Sequence, residues 1–150
     1  MNRVYLAARY SRHPEMQEYA KRLEGIGHTV TSRWIHGNHQ IPEGTAEGER
    51  YQESVRFAVE DYNDVVDADY LVIFTDPPRT TTRGGKHVEV GIALGSGMPV
   101  YMVGTEIENI FYYLPCITRF PTFDDLLAFL EQEAIYELQL EEEKAYYGRV

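Results

Sequence analysis

Short apolar runs recur along this chain and predict its strands. Continuous apolar stretches occur at "RVYLAA" (3–8), "DYLVIF" (69–74) and "PVYMV" (99–103). Runs of this length are typical of strands that are buried on both faces of a parallel sheet. Two weaker stretches, "HTVTSRW" (28–34) and "CITRF" (116–120), predict two further strands.

Apolar residues at helical spacing separate these strands. A first helix begins after Ser11, with a proline in its first turn, and ends near Gly25. A later helix runs from about 86 to 95, and a last one follows Thr122 in a pattern like a capping box. The end of the chain, from 135 onward, is either a continuation of that helix or a tail against a partner subunit.

The second helix carries the strongest candidate chemistry. Its apolar positions are Val55, Ala58, Val59, Tyr62, Val65 and Val66. We expect Asp61 at the border of this apolar face, and Glu60 and Asp64 toward solvent. A border acid can reach a cleft and act on a base ring as a hydrogen-bond partner or proton donor.

Strands that alternate with helices predict one α/β domain over residues 1–150, with a parallel sheet covered on both faces. Its ligand site should lie at the carboxyl ends of the strands, near the switch point of the strand order. The long polar loop "IHGNHQIPEGTAEGE" (35–49) has no periodicity, and its length predicts either a functional flap or a mobile loop. Its His36 and His39 have no evident third ligand, so a polar loop is favoured over a zinc site.

Charge and composition limit the kinds of molecule and compartment with which the protein is compatible. The net charge of -10 argues against a nucleic acid polymer, whose affinity rests on phosphate neutralisation. No apolar run is long enough to predict a membrane span, and the first residues do not resemble a signal peptide. The single cysteine, Cys116, suits a reducing cytoplasm and is interpreted as a small buried hydrophobe.

Cations nevertheless gather in the loops that follow the predicted strands. They are Arg9, Arg12, Arg79, Arg83 and Lys86. A solvated, charged loop face would explain any one of them, but the cluster favours an anion site, because Gly84 and Gly85 also offer backbone N–H groups at a helix start. Standard phosphate-binding and nucleophile-elbow motifs are absent.

Glu89 follows this basic loop, in the predicted first turn of a helix. The helix dipole, Lys86 and His87 should favour its ionised form. An ionised carboxylate in a partly apolar pocket can attack a sugar carbon and hold the glycosyl group covalently. A plain acid at a helix start remains the alternative.

The motifs "VYLAARYSR", "DYNDVVDADYLVIF", "GGKHVEVGIALGSGMPVYMVG" and "ENIF" resemble the nucleoside 2-deoxyribosyltransferase superfamily, which includes nucleoside 5'-monophosphate N-glycosidases. The resemblance implies a flavodoxin-like, Rossmann-like three-layer sandwich with a five-stranded parallel sheet. It also implies that Glu89, in "EVGIA", is the nucleophile and that Asp61, eight residues before Asp69, contacts the base. By the same resemblance, Tyr5 supports the nucleophile, and Asn109 lies near the sugar's 5' end, often across a subunit interface.

Two departures from the family pattern bear on the substrate. Arg83 stands six residues before Glu89, where the transferases carry an acid that recognises a free 5'-hydroxyl; an arginine suits a 5'-phosphate. The "G-S-I-R-G-G" segment of the nucleotide hydrolases is absent, and "AARYSRH" stands in its place, where Arg9, Ser11 and Arg12 could do similar work.

We therefore predict an enzyme that cleaves the N-glycosidic bond of a (deoxy)nucleoside 5'-monophosphate through a glycosyl-glutamate intermediate, with no cofactor and no metal. A base-exchanging transferase, a non-catalytic nucleotide sensor and a structural interaction domain are the alternatives. We expect a homodimer or larger. The predicted substrate contacts are Arg9, Tyr10, Ser11, Arg12, Arg83, Gly84, Gly85, Lys86, His87 and Asn109, and Tyr10 or Trp34 could stack on the base.

Overall fold

The computed structural model describes residues 2–37 and 39–148, and it has a five-stranded parallel sheet. The strand order is β2-β1-β3-β4-β5, which is the flavodoxin-like order. This architecture confirms the predicted α/β fold. The strands are β1 (Arg3–Ala7), β2 (Thr29–Val30), β3 (Tyr70–Phe74), β4 (Val100–Val103) and β5 (Ile117–Phe120). The helices are α1 (His13–Gly25), α2 (Glu47–Val66), α3 (Gly85–Gly95) and α4 (Phe123–Tyr147).

Helices cover both faces of the sheet. Tyr19 of α1 stacks on Phe74 of β3 and on Phe123 of α4, with ring centroids 5.4 and 4.0 Å apart, so α1 and α4 share one face. α2 and α3 pack against each other, and α3 lies on β1, β3 and β4. Right-handed crossovers in this strand order put α2 and α3 on the face opposite α1. The strand order changes direction between β1 and β3, and the crevice at their carboxyl ends is the expected site.

The second strand is much shorter than its sequence predicts. After Val30 the chain turns into a short 3-10 segment, Arg33–Ile35. Beyond Val30, hydrogen bonds from side chains take the place of the backbone hydrogen bonds between β1 and β2. The Leu6 N–H donates to Ser32 Oγ at 3.0 Å, and the Trp34 indole donates to the Leu6 carbonyl at 2.9 Å. Because these bonds satisfy the edge of β1 without a paired strand, the ladder ends early.

The orientation of α2 is the reverse of the expected one. Val55, Val59 and Tyr62 are each about half exposed, whereas Asp64 is buried. The prediction that Asp64 points to solvent is therefore wrong, and Glu60 is also partly buried. The Asp64 carboxylate accepts hydrogen bonds from the backbone N–H and the guanidinium of Arg33, which fixes the acidic side of α2 toward the molecule.

The C-terminal segment continues the last helix. Thr122 and Asp125 form a complete capping box at its start, and Phe123, Leu126 and Leu130 are buried. Beyond Leu130 almost every side chain is exposed. Cys116, just before β5, is exposed as well, so its interpretation as a buried hydrophobe is wrong. None of the helices within the described ranges combines the length and the apolar character that a bilayer crossing requires.

Candidate active site

The ends of β3 and β4 approach each other closely beneath the site. Gly104, directly after β4, has a φ of 123°, which side chains rarely adopt. A Cβ at this position would lie 2.0 Å from Thr75 Oγ1. The chain therefore needs glycine here to bring the loops after β3 and β4 together.

Tyr5, Asp61 and Glu89 meet between the sheet and the α2–α3 layer. Each residue comes from a different element: β1, α2 and α3. Tyr5 Oη, Asp61 Oδ1 and Glu89 Oε2 are buried and have no hydrogen-bond partner among the described residues. Since buried polar atoms are almost always satisfied in proteins, three such atoms in one place indicate a site built for a ligand.

Burial disfavours ionisation of the Glu89 carboxyl. α3 begins at Gly85, so Glu89 lies one turn into the helix rather than in its first turn. Desolvation raises its pKa to about 8; the neighbouring Tyr5 hydroxyl lowers it, and the charge of Asp61 raises it further. Although the residue as a whole is partly exposed, Oε2 is fully shielded. In the ligand-free site, desolvation therefore opposes the ionised form that the helix start was expected to favour.

Asp61 is a second carboxyl with a raised pKa. Desolvation is the main cause, Asp64 and Glu60 add like-charge repulsion, and Arg33 opposes them, which together raise its pKa to about 7. Two interacting acids titrate as a pair, so near neutrality the site can hold one proton and one negative charge. That state supplies both a nucleophile and an acid.

Tyr5 remains a phenol at every physiological pH. Burial, followed by the charges of Glu89 and Asp61, raises its pKa well above the ordinary value. Its hydroxyl lies beside the Glu89 carboxyl without completing good hydrogen-bond geometry in the ligand-free structure, since both Tyr5 Oη and Glu89 Oε2 lack a partner. A small movement would let Tyr5 donate to the ionised glutamate and orient it.

The flap brings a histidine to the same place. The His39 ring stacks on Phe57 of α2, with centroids 4.4 Å apart, and its Nε2 lies 3.4 Å from Asp61 Oδ1. Both ring nitrogens are shielded from solvent and lack a hydrogen-bond partner within the described part of the chain. Sequence reasoning treated this residue as part of a polar loop, and no local motif distinguishes it.

Lys86, one of the predicted anion ligands, is buried in an ion-pair network instead. Its Nζ lies 2.5 Å from Asp76 Oδ2 and 2.7 Å from Glu108 Oε1, and it donates to the Phe74 carbonyl. Asp76 follows β3 and Glu108 follows β4, so the network joins the two loops. The Lys86 ammonium is fully engaged by carboxylates and does not face an open pocket.

Arg12 and Arg9 extend this network from the loop after β1. Arg12 pairs with Glu15 through two hydrogen bonds of 2.8 and 2.9 Å and also contacts Asp76 at 3.2 Å. Arg9 Nε lies 3.6 Å from Asp76, and this buried atom makes no hydrogen bond within the described ranges. Ser11 is exposed beside them. Sequence analysis missed Asp76 and Glu15, although Asp76 stands only two residues after the apolar strand β3.

Two cations of the basic loop remain exposed. Arg79 has a positive φ of 64°, and neither Arg79 nor Arg83 forms an ion pair with a described residue. Gly84, with a φ of 85°, turns the chain into α3, and Gly85 is its first residue. A groove of about 370 Å³ runs along this loop; Arg79, Thr80, Thr82, His87 and Glu106 are among its lining residues.

His87 and Asn109 lie side by side at the start of α3. Asn109 Nδ2 is 3.4 Å from His87 Nδ1, and the Asn109 carbonyl caps the segment Ile110–Tyr113. The His87 ring also contacts the buried Tyr112 hydroxyl. The structure thus brings these two predicted contacts together, at the edge of the groove.

The aromatic candidates for base stacking differ in accessibility. Trp34 is buried and hydrogen-bonded to the backbone, which makes it a core residue. Tyr10 is half-buried, its ring lies 4.9 Å from that of His13, and its hydroxyl donates to the Gly37 carbonyl at 3.3 Å. No group of three or more His, Cys, Asp or Glu side chains in the described ranges is arranged to hold a metal ion.

Comparisons with known proteins identify the family and the fold of the chain. The model of the nucleoside 2-deoxyribosyltransferase family matches residues 4–145. The fold is similar to that of the CMP N-glycosidase BcmB of Clostridium botulinum, with a TM-score of 0.56 and 18% identity over 87% of this chain and 99% of that chain. It is also similar to a 2-deoxyribosyltransferase of the psychrotolerant bacterium Bacillus psychrosaccharolyticus, with a TM-score of 0.61 and 19% identity over 83% and 90%. No curated protein sequence matches the chain.

Proposed function

This chain belongs to the nucleoside 2-deoxyribosyltransferase family, and from that premise we propose that it releases the base from a nucleoside 5'-monophosphate through a covalent bond between the sugar and Glu89. The chain is accordingly an enzyme of the class that hydrolyses or transfers at N-glycosidic bonds. The observation that carries the proposal is the buried, unpartnered set of Tyr5 Oη, Asp61 Oδ1 and Glu89 Oε2.

In the first step, the ionised Glu89 carboxylate attacks C1' of the sugar, and the bond between C1' and the base nitrogen breaks. Asp61 gives its proton to the departing base. Tyr5 donates a hydrogen bond to Glu89 and keeps the attacking oxygen oriented. The state that reacts has Glu89 ionised and the one shared proton on Asp61. Because the pKa of Glu89 (about 8) is higher than that of Asp61 (about 7), this is the less populated of the two singly protonated forms, and both forms are most populated between these two values.

In the second step, water attacks C1' of the glycosyl-enzyme, and the Glu89 carboxylate departs. The Asp61 carboxylate takes the proton from that water, which restores the starting protonation state. The atoms balance as one nucleotide and one water giving one free base and one sugar phosphate. If an acceptor base replaces the water, the same intermediate yields base exchange, which is the transferase alternative.

The test of the chemistry is base release from a panel of nucleosides and 5'-monophosphates, with and without an acceptor base, followed by chromatography. Glu89→Gln and Glu89→Ala should each lose several orders of magnitude in turnover while the fold survives. Glu131→Gln, an exposed change of the same kind on α4, should leave turnover unchanged. Retention of more than about a tenth of wild-type turnover by the Glu89 variants would contradict the covalent mechanism. Tight nucleotide binding without any base release would favour the sensor alternative.

Arg83 supports a preference for the 5'-phosphate. It is an exposed cation without an ion pair among the described residues, and it directly precedes the Gly84–Gly85 turn at the start of α3. A phosphate there would gain charge-assisted bonds of roughly 1.5–3 kcal/mol each, together with backbone N–H donors. We therefore expect 5'-monophosphates to exceed the matching nucleosides by at least about tenfold in kcat/KM.

Arg83→Asp should lower turnover of the monophosphate far more than turnover of the nucleoside, because the new carboxylate repels the phosphate. Lys21→Asp, an exposed charge reversal on α1, is the matched control and should affect both substrates equally. A wild-type enzyme that prefers nucleosides would replace the hydrolase proposal with the transferase one.

A homodimer or larger assembly is proposed on the apolar surface of α2. Val55, Val59, Tyr62 and Val66 lie on one side of the helix and are 40 to 53% exposed. An exposed apolar stripe of this kind is typical of a surface that another chain covers. The protein should be larger than a monomer in light scattering at micromolar concentration, and Val59→Glu should shift it toward monomer. An active wild-type monomer would contradict this proposal.

The same chemistry is proposed to take place in the cytoplasm. Cys116 is a single, exposed thiol, and a free surface thiol is compatible with a reducing compartment.

A further inference from the structure

We propose that His39 is a positioning residue for the reaction: its Nε2 donates a hydrogen bond to Asp61 and stabilises the negative charge that this acid develops as it protonates the leaving base. The proposal rests on the proposed function of Asp61. It is carried by the contact between His39 Nε2 and Asp61 Oδ1: these buried atoms lie 3.4 Å apart, and neither forms a hydrogen bond with any described residue.

Packing fixes the plane and place of the His39 ring. Its face is stacked on Phe57, with an interplanar angle of 28°. On its edge lies Gly37, where a Cβ would stand 3.2 Å from Nδ1 and 3.3 Å from Cε1. The ring therefore occupies a slot that the missing side chain of Gly37 leaves open, and Nε2 is the atom that points toward Asp61. A tenth of the side chain is exposed.

The charged groups around the ring favour a neutral donor. Glu60 and Asp64 of α2 are negative, with Glu60 Oε1 3.8 Å from Nε2, and Arg33 and Arg56 are positive. Burial is the largest influence and lowers the pKa of His39. A neutral imidazole with its hydrogen on Nε2 donates to the carboxylate form of Asp61 and has no charge of its own to desolvate.

The contact acts differently on the two states of Asp61. Before the reaction the acid is protonated and needs no donor. As the proton moves to the base, the carboxylate forms, and a short shift of a few tenths of an ångström brings Nε2 within hydrogen-bond distance. An interaction that strengthens as charge develops raises kcat more than it alters substrate binding.

Two substitutions of His39 distinguish the contribution of the Nε2 atom from that of the aromatic ring. His39→Phe keeps an aromatic ring on Phe57 and removes Nε2, whereas His39→Gln places an amide nitrogen the same number of bonds from the backbone. His39→Phe should lower kcat by about 10- to 100-fold with KM changed less than about threefold, and the alkaline limb of the kcat profile should move to higher pH. His39→Gln should recover kcat to within about threefold of wild type. Glu131→Gln, which removes an exposed carboxylate on α4, is the control and should retain the wild-type profile.

A second readout does not depend on turnover. In ¹³C NMR of aspartate-labelled protein, the carboxyl signal that disappears in Asp61→Asn reports the protonation of Asp61. Loss of the donor in His39→Phe should raise the pKa of that signal by about half a unit or more, and His39→Gln should restore it. An unchanged Asp61 titration in His39→Phe would overturn the proposal even if the enzyme is active. A changed titration in a protein that releases no base would support the contact and would contradict the proposed function instead.

Discussion

Replacing Glu89 with glutamine should stabilise the folded protein at alkaline pH, although it removes the nucleophile. Glutamine has the shape of the protonated acid and does not ionise. The buried Glu89 carboxyl has a pKa of about 8, against an ordinary value of 4.5, chiefly because ionisation there loses the solvation of water. The unfolded chain ionises this group freely, so the folded state of the wild type is at a disadvantage once the pH exceeds 4.5.

The direction of the pH dependence follows from the difference in proton binding between the folded and unfolded states. Because the pKa of the folded state is the higher one, the favourable contribution is fully present below about pH 4.5 and is lost as the pH rises through about 8. At about 1.36 kcal/mol per pKa unit, the difference between the folded-state pKa and the ordinary value limits this effect on the free energy of unfolding to about 5 kcal/mol. Because the side chain is partly exposed and its ionised form can relax toward water, we expect Glu89→Gln to raise the free energy of unfolding at alkaline pH by about 1 to 3 kcal/mol.

Thermal unfolding followed by circular dichroism near pH 5 and near pH 9 tests this reasoning. For a chain of this size, the expected gain for Glu89→Gln is about 3 to 10 °C in Tm at the higher pH and close to zero at the lower one. The exposed Glu131→Gln should show no such difference, because its side chain meets water in both states. An equal Tm difference at both pH values, or a lower Tm for Glu89→Gln at pH 9, would refute the desolvation argument.

Three further predictions concern the pair of acids, the glycine turn and the buried lysine. The pH profile of kcat/KM should be a bell with its maximum between about pH 7 and 8, since only the singly protonated pair can react: below this range both acids are protonated, and above it both are ionised. A flat profile from pH 5 to 9 would contradict this assignment. Gly104→Ala should destabilise the fold by more than about 2 kcal/mol in urea unfolding, because of its clash and its positive φ, whereas Gly48→Ala, which meets nothing, should be near neutral. Lys86→Met should cost about 3–5 kcal/mol by the same measurement, because it removes the buried cation that Asp76 and Glu108 share and leaves Asp76 with only Arg12 and Arg9; a loss under about 1 kcal/mol would mean that these arginines and water compensate the two carboxylates.

The sequence predicts the sheet well because its strands are continuous apolar runs, a signal that does not depend on the rest of the chain. β2 is the exception, because the bonds from Ser32 and Trp34 that end its ladder reach Leu6, far away in sequence. The rotation of α2 was misjudged for a related reason. An apolar stripe such as Val55 to Tyr62 has the same pattern whether it faces its own core or a partner.

The sequence predicts which residues carry the site chemistry, but it does not predict their protonation states. The spacing of Asp61 and Glu89 within family motifs predicts them as the acids of the site, but their protonation depends on burial that only the folded chain creates. Likewise, Lys86 and Arg12 look in the sequence like free cations beside a glycine turn. Their carboxylate partners come from the loops after β3 and β4 and from α1, so their pairing is a tertiary property.

The buried network of Lys86, Asp76 and Glu108 limits which substitutions the folded protein tolerates. Loss of Lys86 alone leaves Glu108 with only the nearby His87 and Asp76 with only Arg12 and Arg9, whereas a joint change of all three residues to apolar ones of similar volume removes the lysine and both carboxylates together. In a library randomised at these positions, folded variants should therefore be enriched in coordinated substitutions and depleted in single ones. The loops after β3 and β4, which the network joins, would then exchange as a unit, so that new substrate preferences arise by replacing both loops at once.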